Sequence, residues 1–199
     1  MKTLVLATSN RGKLAEIQPL LAECGFALVC QGELGVGDAI ESGRTFIENA
    51  LIKARHACAA TGLPALADDS GLIVDALAGA PGLISAHYAG AHGDSEGNIR
   101  KLLAELAGVP EEKRSARFYS TIVLLRHADD PQPLIAEGLW EGRILDSPRG
   151  TLGFGYDPIF FDPVLQAGAG ELPAPIKNRV SHRGQALARL RQRLPEWRL

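Results

Sequence analysis

The run Thr3-Leu4-Val5-Leu6-Ala7-Thr8-Ser9-Asn10-Arg11-Gly12-Lys13 decides the fold class. Residues 3–7 are apolar and β-rich, which predicts a buried strand. They give way at once to a polar loop over residues 8–12. Beyond it Leu14, Ile17, Leu21 and Cys24 recur at helical spacing and Gly25 supplies a stop, so a helix follows. Pro19 conflicts with that helix, because an interior proline costs ~3 kcal/mol and removes a backbone donor. A kink or an irregular start is expected there. A strand that turns through a polar loop into a helix belongs to a chain that mixes the two element types.

The rest of the chain continues the mixture. Residues 26–30 read as a second strand, and residues 32–43, rich in glycine and acid, as a loop. Thr45-Phe46-Ile47-Glu48 is a capping box. The helix it opens carries Ile47, Ala50, Leu51, Ala54 and Cys58 on one face and ends at Gly62 and Pro64. Residues 65–67 and 72–74 are β-like, with Asp68-Asp69-Ser70-Gly71 between them. Residues 78–93 are loop-like and are the one place where a lobe boundary could fall. Ile99, Leu102, Leu103 and Leu106 mark another amphipathic helix, closed by Gly108 and Pro110. Residues 116–125 form the longest strand candidate, and 134–145 return as its hairpin partner after the turn Asp129-Asp130-Pro131. A glycine-rich loop spans 150–157 and a brief strand 159–161. Leu187, Leu190 and Leu194 lie on a last helix that Pro195 stops. The reading is a mixed α/β fold, with residues 1–199 as one domain.

Composition narrows the function classes. A hydrophobic content of 46% with 22% charged residues is that of an ordinary globular protein. The net charge of −2 provides no basic field to hold nucleic acid by its phosphates. Cys24, Cys30 and Cys58 are odd in number and lack metal-type spacing, as expected of free thiols in a reducing compartment. The first apolar run is shorter than a signal-peptide core of ~7–15 residues, and no stretch approaches the ~20 of a membrane span. The expectation is a cytoplasmic protein with neither a membrane nor a nucleic-acid partner.

Four polar segments carry chemistry. Residues 8–13 sit between a strand and a helix N-terminus, whose free amide hydrogens and positive dipole end favour phosphate. Gly12 permits close approach, Lys13 is a point charge, and Asn10 can bond base, sugar or phosphate. A Walker loop is absent. Asp68-Asp69-Ser70-Gly71 places adjacent carboxylates on opposite faces of an extended run. One can face a cleft and hold Mg²⁺ or activate water, while the other supports the backbone. Ser70 can donate to phosphate, and Glu41 is a second acid for a metal. Gly153-Phe154-Gly155-Tyr156-Asp157-Pro158 presents two aromatics between glycines, suited to stacking on a purine, with Asp157 able to accept a base N–H. In Ser181-His182-Arg183-Gly184, with Lys177 upstream, His182 and Arg183 can donate to phosphate or to a base carbonyl. Each segment alone also fits a plainer account: a solvated lysine, an acidic surface turn, aromatics folded into the core, or a basic helix start.

In this order and with these gaps, the four segments resemble the inosine/xanthosine triphosphate pyrophosphatases. The likeness extends to Thr45-Phe46-Ile47-Glu48-Asn49-Ala50 with Lys53, to Gly79-Ala80-Pro81-Gly82 and to Ala116-Arg117-Phe118. It implies two lobes around an elongated central mixed sheet with a cleft between them. It also implies a homodimer, dependence on Mg²⁺, and hydrolysis of ITP, dITP or XTP to the monophosphate and pyrophosphate. By motif, Thr8, Ser9, Asn10, Arg11, Gly12 and Lys13 would bind the triphosphate and Asp69 would be the general base beside the metal. Ser70 would contact substrate. Phe154, Gly155, Tyr156, Asp157, Lys177, His182 and Arg183 would enclose base and sugar, and Asp69 with Glu41 would hold the ion.

Three positions depart from the family pattern: Ser9 stands for a glycine, His87 for an arginine, and residues 167–170 lack a lysine and threonine common before Glu171-Leu172. The rival enzyme is a pyrophosphatase for other modified nucleotides. The rival from another class is a nucleic-acid-binding module, which would leave Asp68 and Asp69 without a task.

Overall fold

The computed structural model describes residues 2–8 and 11–197, with the side chains of Arg11, Leu20 and Glu196 excepted. Ser9 and Asn10, both expected to touch phosphate, lie outside the described residues, as does the side chain of Arg11. The strands are β1 (Lys2–Leu6), β2 (Phe26–Cys30), β3 (Ala65–Val74), β4 (Ser115–Leu125), β5 (Leu134–Ile144), β6 (Phe160–Asp162) and β7 (Ala167–Gly168). The helices are α1 (Arg11–Glu23), α2 (Phe46–Thr61), α3 (Ser95–Glu105), α4 (Ala174–Val180) and α5 (His182–Arg193). The strands form one sheet in the order β2-β1-β3-β4-β5-β6-β7. It is mixed: β1 runs parallel to β2 and β3, whereas β6 runs antiparallel to β5 and β7.

The chain divides into two compact units. The first holds residues 1–69, 120–138 and 183–199, the second residues 70–119 and 139–182. In the first unit strand alternation sorts the core onto two faces. Leu4, Leu6, Leu66, Ile122 and Leu124 pack with Ile17 and Leu21 of α1 and with Ala186, Leu187 and Leu190 of α5. Val5, Ala7, Ala65, Ala67, Val123 and Leu125 pack with Ala50, Ala54, Ala57 and Cys58 of α2. In the second unit the core is aromatic. Phe118 lies 4.6 Å from Phe160, Phe160 lies 4.9 Å from Trp140, and Leu72, Val74, Leu102 and Ile144 surround them.

Local chemistry sets the element ends. The capping box forms as expected: the Glu48 amide donates to Thr45 Oγ1 at 3.2 Å and the Thr45 amide to Glu48 Oε2 at 2.9 Å. Gly62 closes α2 in a left-handed conformation. Two expectations change. α1 continues through Pro19 without a break. Pro19 and Ala15 are both exposed, so the carbonyl that loses its donor lies on the solvent side of the helix. The Asp68–Gly71 segment is not a connection between two strands but the middle of one continuous strand, β3. Residues 167–170 contain β7 and most of a 3-10 turn in which Glu171 Oε2 accepts the Gly168 amide at 2.7 Å.

Candidate active site

Because β3 is continuous, Asp68 and Asp69 project from opposite faces of the sheet. Asp68 shares a face with Leu66 and so meets α1 and α5. Its carboxylate is fully buried and accepts from Lys13 Nζ at 2.9 Å, Arg183 Nη2 at 3.2 Å and Ser120 Oγ at 2.6 Å. Burial opposes its ionisation, but the Arg183 guanidinium and the Lys13 ammonium outweigh that and hold the carboxyl well below the usual range. Arg183 also donates from Nη1 to Glu16. Its guanidinium therefore binds two acids, Asp68 and Glu16.

Asp69 shares its face with Ala65 and Ala67 and so meets α2. Lys53 Nζ donates to Asp69 Oδ1 at 2.6 Å and lies 3.3 Å from Glu41 Oε1. Burial pushes the Asp69 carboxyl up, Glu41 adds to the push, and Lys53 only partly offsets it. Lys53 is itself buried, yet Asp69 raises its pKa over that penalty and keeps it charged. An ammonium held between two carboxylates marks a place where positive charge is favoured. Asp69 and Glu41 offer only hard oxygen donors, the set that suits Mg²⁺ when phosphate and water complete the shell.

The two faces meet at one atom. The backbone carbonyl oxygen of Asp68 accepts from Lys13 Nζ at 3.0 Å and from Lys53 Nζ at 3.2 Å. Two ammonium groups thus crowd a single oxygen. Burial lowers the pKa of Lys13, Asp68 pulls it back up, and Lys53 and Arg183 add to the lowering. Lys13 and Gly12 lie in the first turn of α1, at the positive end of the helix dipole, and the Thr8 amide turns back onto Leu6 O at 2.9 Å. The three cations here, Lys13, Lys53 and Arg183, are balanced by the carboxylates of Glu16, Glu41, Asp68 and Asp69.

The second unit carries an aromatic turn. Asp157 Oδ2 accepts the Phe154 amide at 2.7 Å and Lys177 Nζ at 2.6 Å, both acid and lysine being buried. Gly153 is required by this turn: its φ is +79°, and a Cβ there would stand 2.1 Å from Asp157 Oδ2. Phe154 remains 39% exposed with Lys177 Nζ 4.8 Å from its ring centre. Tyr156 corrects the reading that both aromatics are exposed. It is buried, and its hydroxyl donates to Ser85 O at 2.9 Å, so its polar tip is satisfied inside the core. His182, the first residue of α5, stacks on Phe118 with ring centres 4.9 Å apart. Ser70 is half-buried on β3, and Gly155 has φ +61° between Phe154 and Tyr156.

The Ham1 family model matches residues 4–193. The chain belongs to the Ham1 family. A dITP/XTP pyrophosphatase of Xanthomonas campestris pv. campestris (strain 8004) is 62% identical over 194 residues, 98% of each chain. One from Vibrio cholerae serotype O1 is 53% identical over 198 residues, 100% of this chain and 99% of the other. Among solved structures, a HAM1 protein from Coxiella burnetii superposes with a TM-score of 0.92 at 50% identity, over 99% of this chain and 100% of that one. The Staphylococcus aureus Ham1 protein gives 0.87 at 36% identity, over 98% and 99%.

Four residues that bond to the predicted site residues are not singled out by their own chemistry in the sequence: Glu16, Lys53, Ser120 and Ser85. The signal for two of them was present. Lys53 interrupts the stripe Ala50, Ala54, Ala57 on α2, and Glu16 adjoins Ile17 on the buried face of α1. A charge inside an apolar helical stripe needs a partner. Ser120 and Ser85 gave no such signal, since a serine within an apolar segment is unremarkable until its neighbours are known.

Proposed function

We propose that this Ham1 chain hydrolyses nonstandard purine nucleoside triphosphates (ITP, dITP and XTP) to the monophosphate and pyrophosphate. The observation that carries the reading is the pair of ammonium groups of Lys13 and Lys53 on the Asp68 carbonyl, beside the Asp69 carboxylate. The names of the Xanthomonas and Vibrio relatives support the same substrate class.

Residues 8–13 and Lys53 receive the triphosphate, with Ser70 as a further donor. Asp69, its carboxyl raised by burial, takes the proton from the attacking water, and Lys53 fixes the orientation of that carboxylate. Asp69 and Glu41 would hold Mg²⁺, which neutralises phosphate charge when bound. Lysine charge on the β and γ groups favours pyrophosphate as the leaving group. Phe154 offers its face to the base, on a turn through Gly155 that Asp157 ties to Lys177 and Tyr156 ties to Ser85. His182 supplies a donor to a 6-oxo purine. Arg183 acts by anchoring Asp68, which in turn fixes Lys13.

The chain is further read as a cytoplasmic homodimer, which the family resemblance favours; among the described residues no helix is long and apolar enough to cross a membrane. Sedimentation at the mass of one 21.2 kDa chain would refute the dimer. The substrate reading is tested by turnover of a triphosphate panel with Mg²⁺. ITP, dITP and XTP should exceed ATP and GTP in kcat/KM by orders of magnitude, and parity of ATP with ITP would refute the reading.

A further inference from the structure

We propose that His87 and His92 form a two-imidazole site for a divalent transition metal, distinct in chemistry from the carboxylate pair that serves Mg²⁺. Both side chains are exposed, and their rings face each other with centres 6.4 Å apart and planes inclined by 21°. Among the described residues neither ring has a hydrogen-bond or ion-pair partner, so both nitrogen sets are available.

The backbone fixes this approach. The Gly93 amide donates to Ala86 O at 2.8 Å, closing the neck of the loop over residues 86–93, and His87 and His92 are the next residues inward on either side. Within the loop the Gly90 amide donates to His87 O at 2.8 Å and the Ala89 amide to Asn98 Oδ1 at 2.7 Å. Tyr88, between the histidines and the core, is buried; its hydroxyl donates to Glu105 and its carbonyl accepts from Lys101 Nζ at 2.8 Å. Asp94 is occupied as the N-cap of α3, where Oδ1 accepts the Gly97 amide at 2.9 Å. The loop is therefore held at its neck and at Tyr88, Ala89 and Asp94 while the two imidazoles stay in solvent.

Such a pair suits a borderline ion. Imidazole nitrogen favours Ni²⁺, Cu²⁺ and Zn²⁺ over the hard cations, with affinity rising from Ni²⁺ to Cu²⁺. Metal–nitrogen distances near 2.0–2.1 Å require the rings to swing together from their present spacing. Exposed side chains can do this by rotation about χ1 and χ2 without disturbing the pinned backbone. Water fills the remaining positions, since among the described residues no third histidine, cysteine or carboxylate joins a metal-holding group.

The test is calorimetric titration of Ni²⁺ into the untagged full chain in excess Mg²⁺, so that the carboxylate site is already supplied. One equivalent should bind. His87→Ala and His92→Ala should each weaken binding by about 10²-fold through loss of the chelate, whereas His56→Ala and His127→Ala should leave it unchanged. Cu²⁺ should bind more tightly than Ni²⁺. Thermal melts without metal should match the parent, because both rings are exposed. Absence of Ni²⁺ binding in the parent chain, or binding that survives both substitutions, would overturn the proposal.

Discussion

Asp68 and Asp69 are neighbours in sequence with opposite duties, and their substitution should separate turnover from stability. Asp69→Asn removes the proposed proton acceptor while Glu41 still faces Lys53, so kcat should fall by ~10²–10⁴-fold with little change in the melting midpoint. Near-normal turnover at saturating Mg²⁺ would remove Asp69 from the mechanism. Asp68→Asn leaves the buried charges of Lys13 and Arg183 short of a partner. A broken buried pair typically costs ~3–5 kcal/mol, so a urea titration should show a marked drop in the unfolding midpoint. His182 is a third case. His182→Phe keeps the ring stacked on Phe118 but deletes the donor, which should lower kcat/KM for ITP about ten- to a hundredfold and leave the poor rate on ATP almost unchanged. An equal loss on both substrates would show that His182 does not read the base.

At the scale of elements, the strands and helices with clear periodicity were legible in the sequence, and the departures have physical causes. Two adjacent aspartates are poor strand formers, so β3 reads as broken at Asp68. It is whole because it lies between β1 and β4 in the sheet and each carboxylate finds cations on its own face. Tyr156 reads as exposed between glycines, yet Ser85 O, distant in the chain, satisfies its hydroxyl inside the core. α4 is only seven residues long and begins between Pro173 and Pro175, too short for a periodic signal. The capping box of α2 was fully readable, because its partners lie within three residues. Thr45→Ala should therefore cost ~1 kcal/mol, measured by denaturant unfolding. A change below a few tenths would mean that the bonds from Arg44 and Gly43 to Glu48 and Asn49 hold the helix start unaided.

For the molecule as a whole, the sequence presents four separate segments, and the fold converts them into two local constellations. One gathers charge around Asp68 and Asp69 in the first unit; the other holds Phe154 on a pinned turn in the second. The contacts that organise both, such as Ser120 to Asp68 in the first and Tyr156 to Ser85 in the second, span tens of residues and carry no local pattern. Residue chemistry could nominate candidate groups, but only the tertiary structure shows that Arg183 anchors a carboxylate. The central claim is that lysine charge gathers on the outer phosphates while Asp69 activates water. Chromatography of the first products from ITP and Mg²⁺ tests it most directly. IMP and pyrophosphate should appear in equal amounts from the earliest time point, whereas IDP with inorganic phosphate would contradict this placement of the lysine charge.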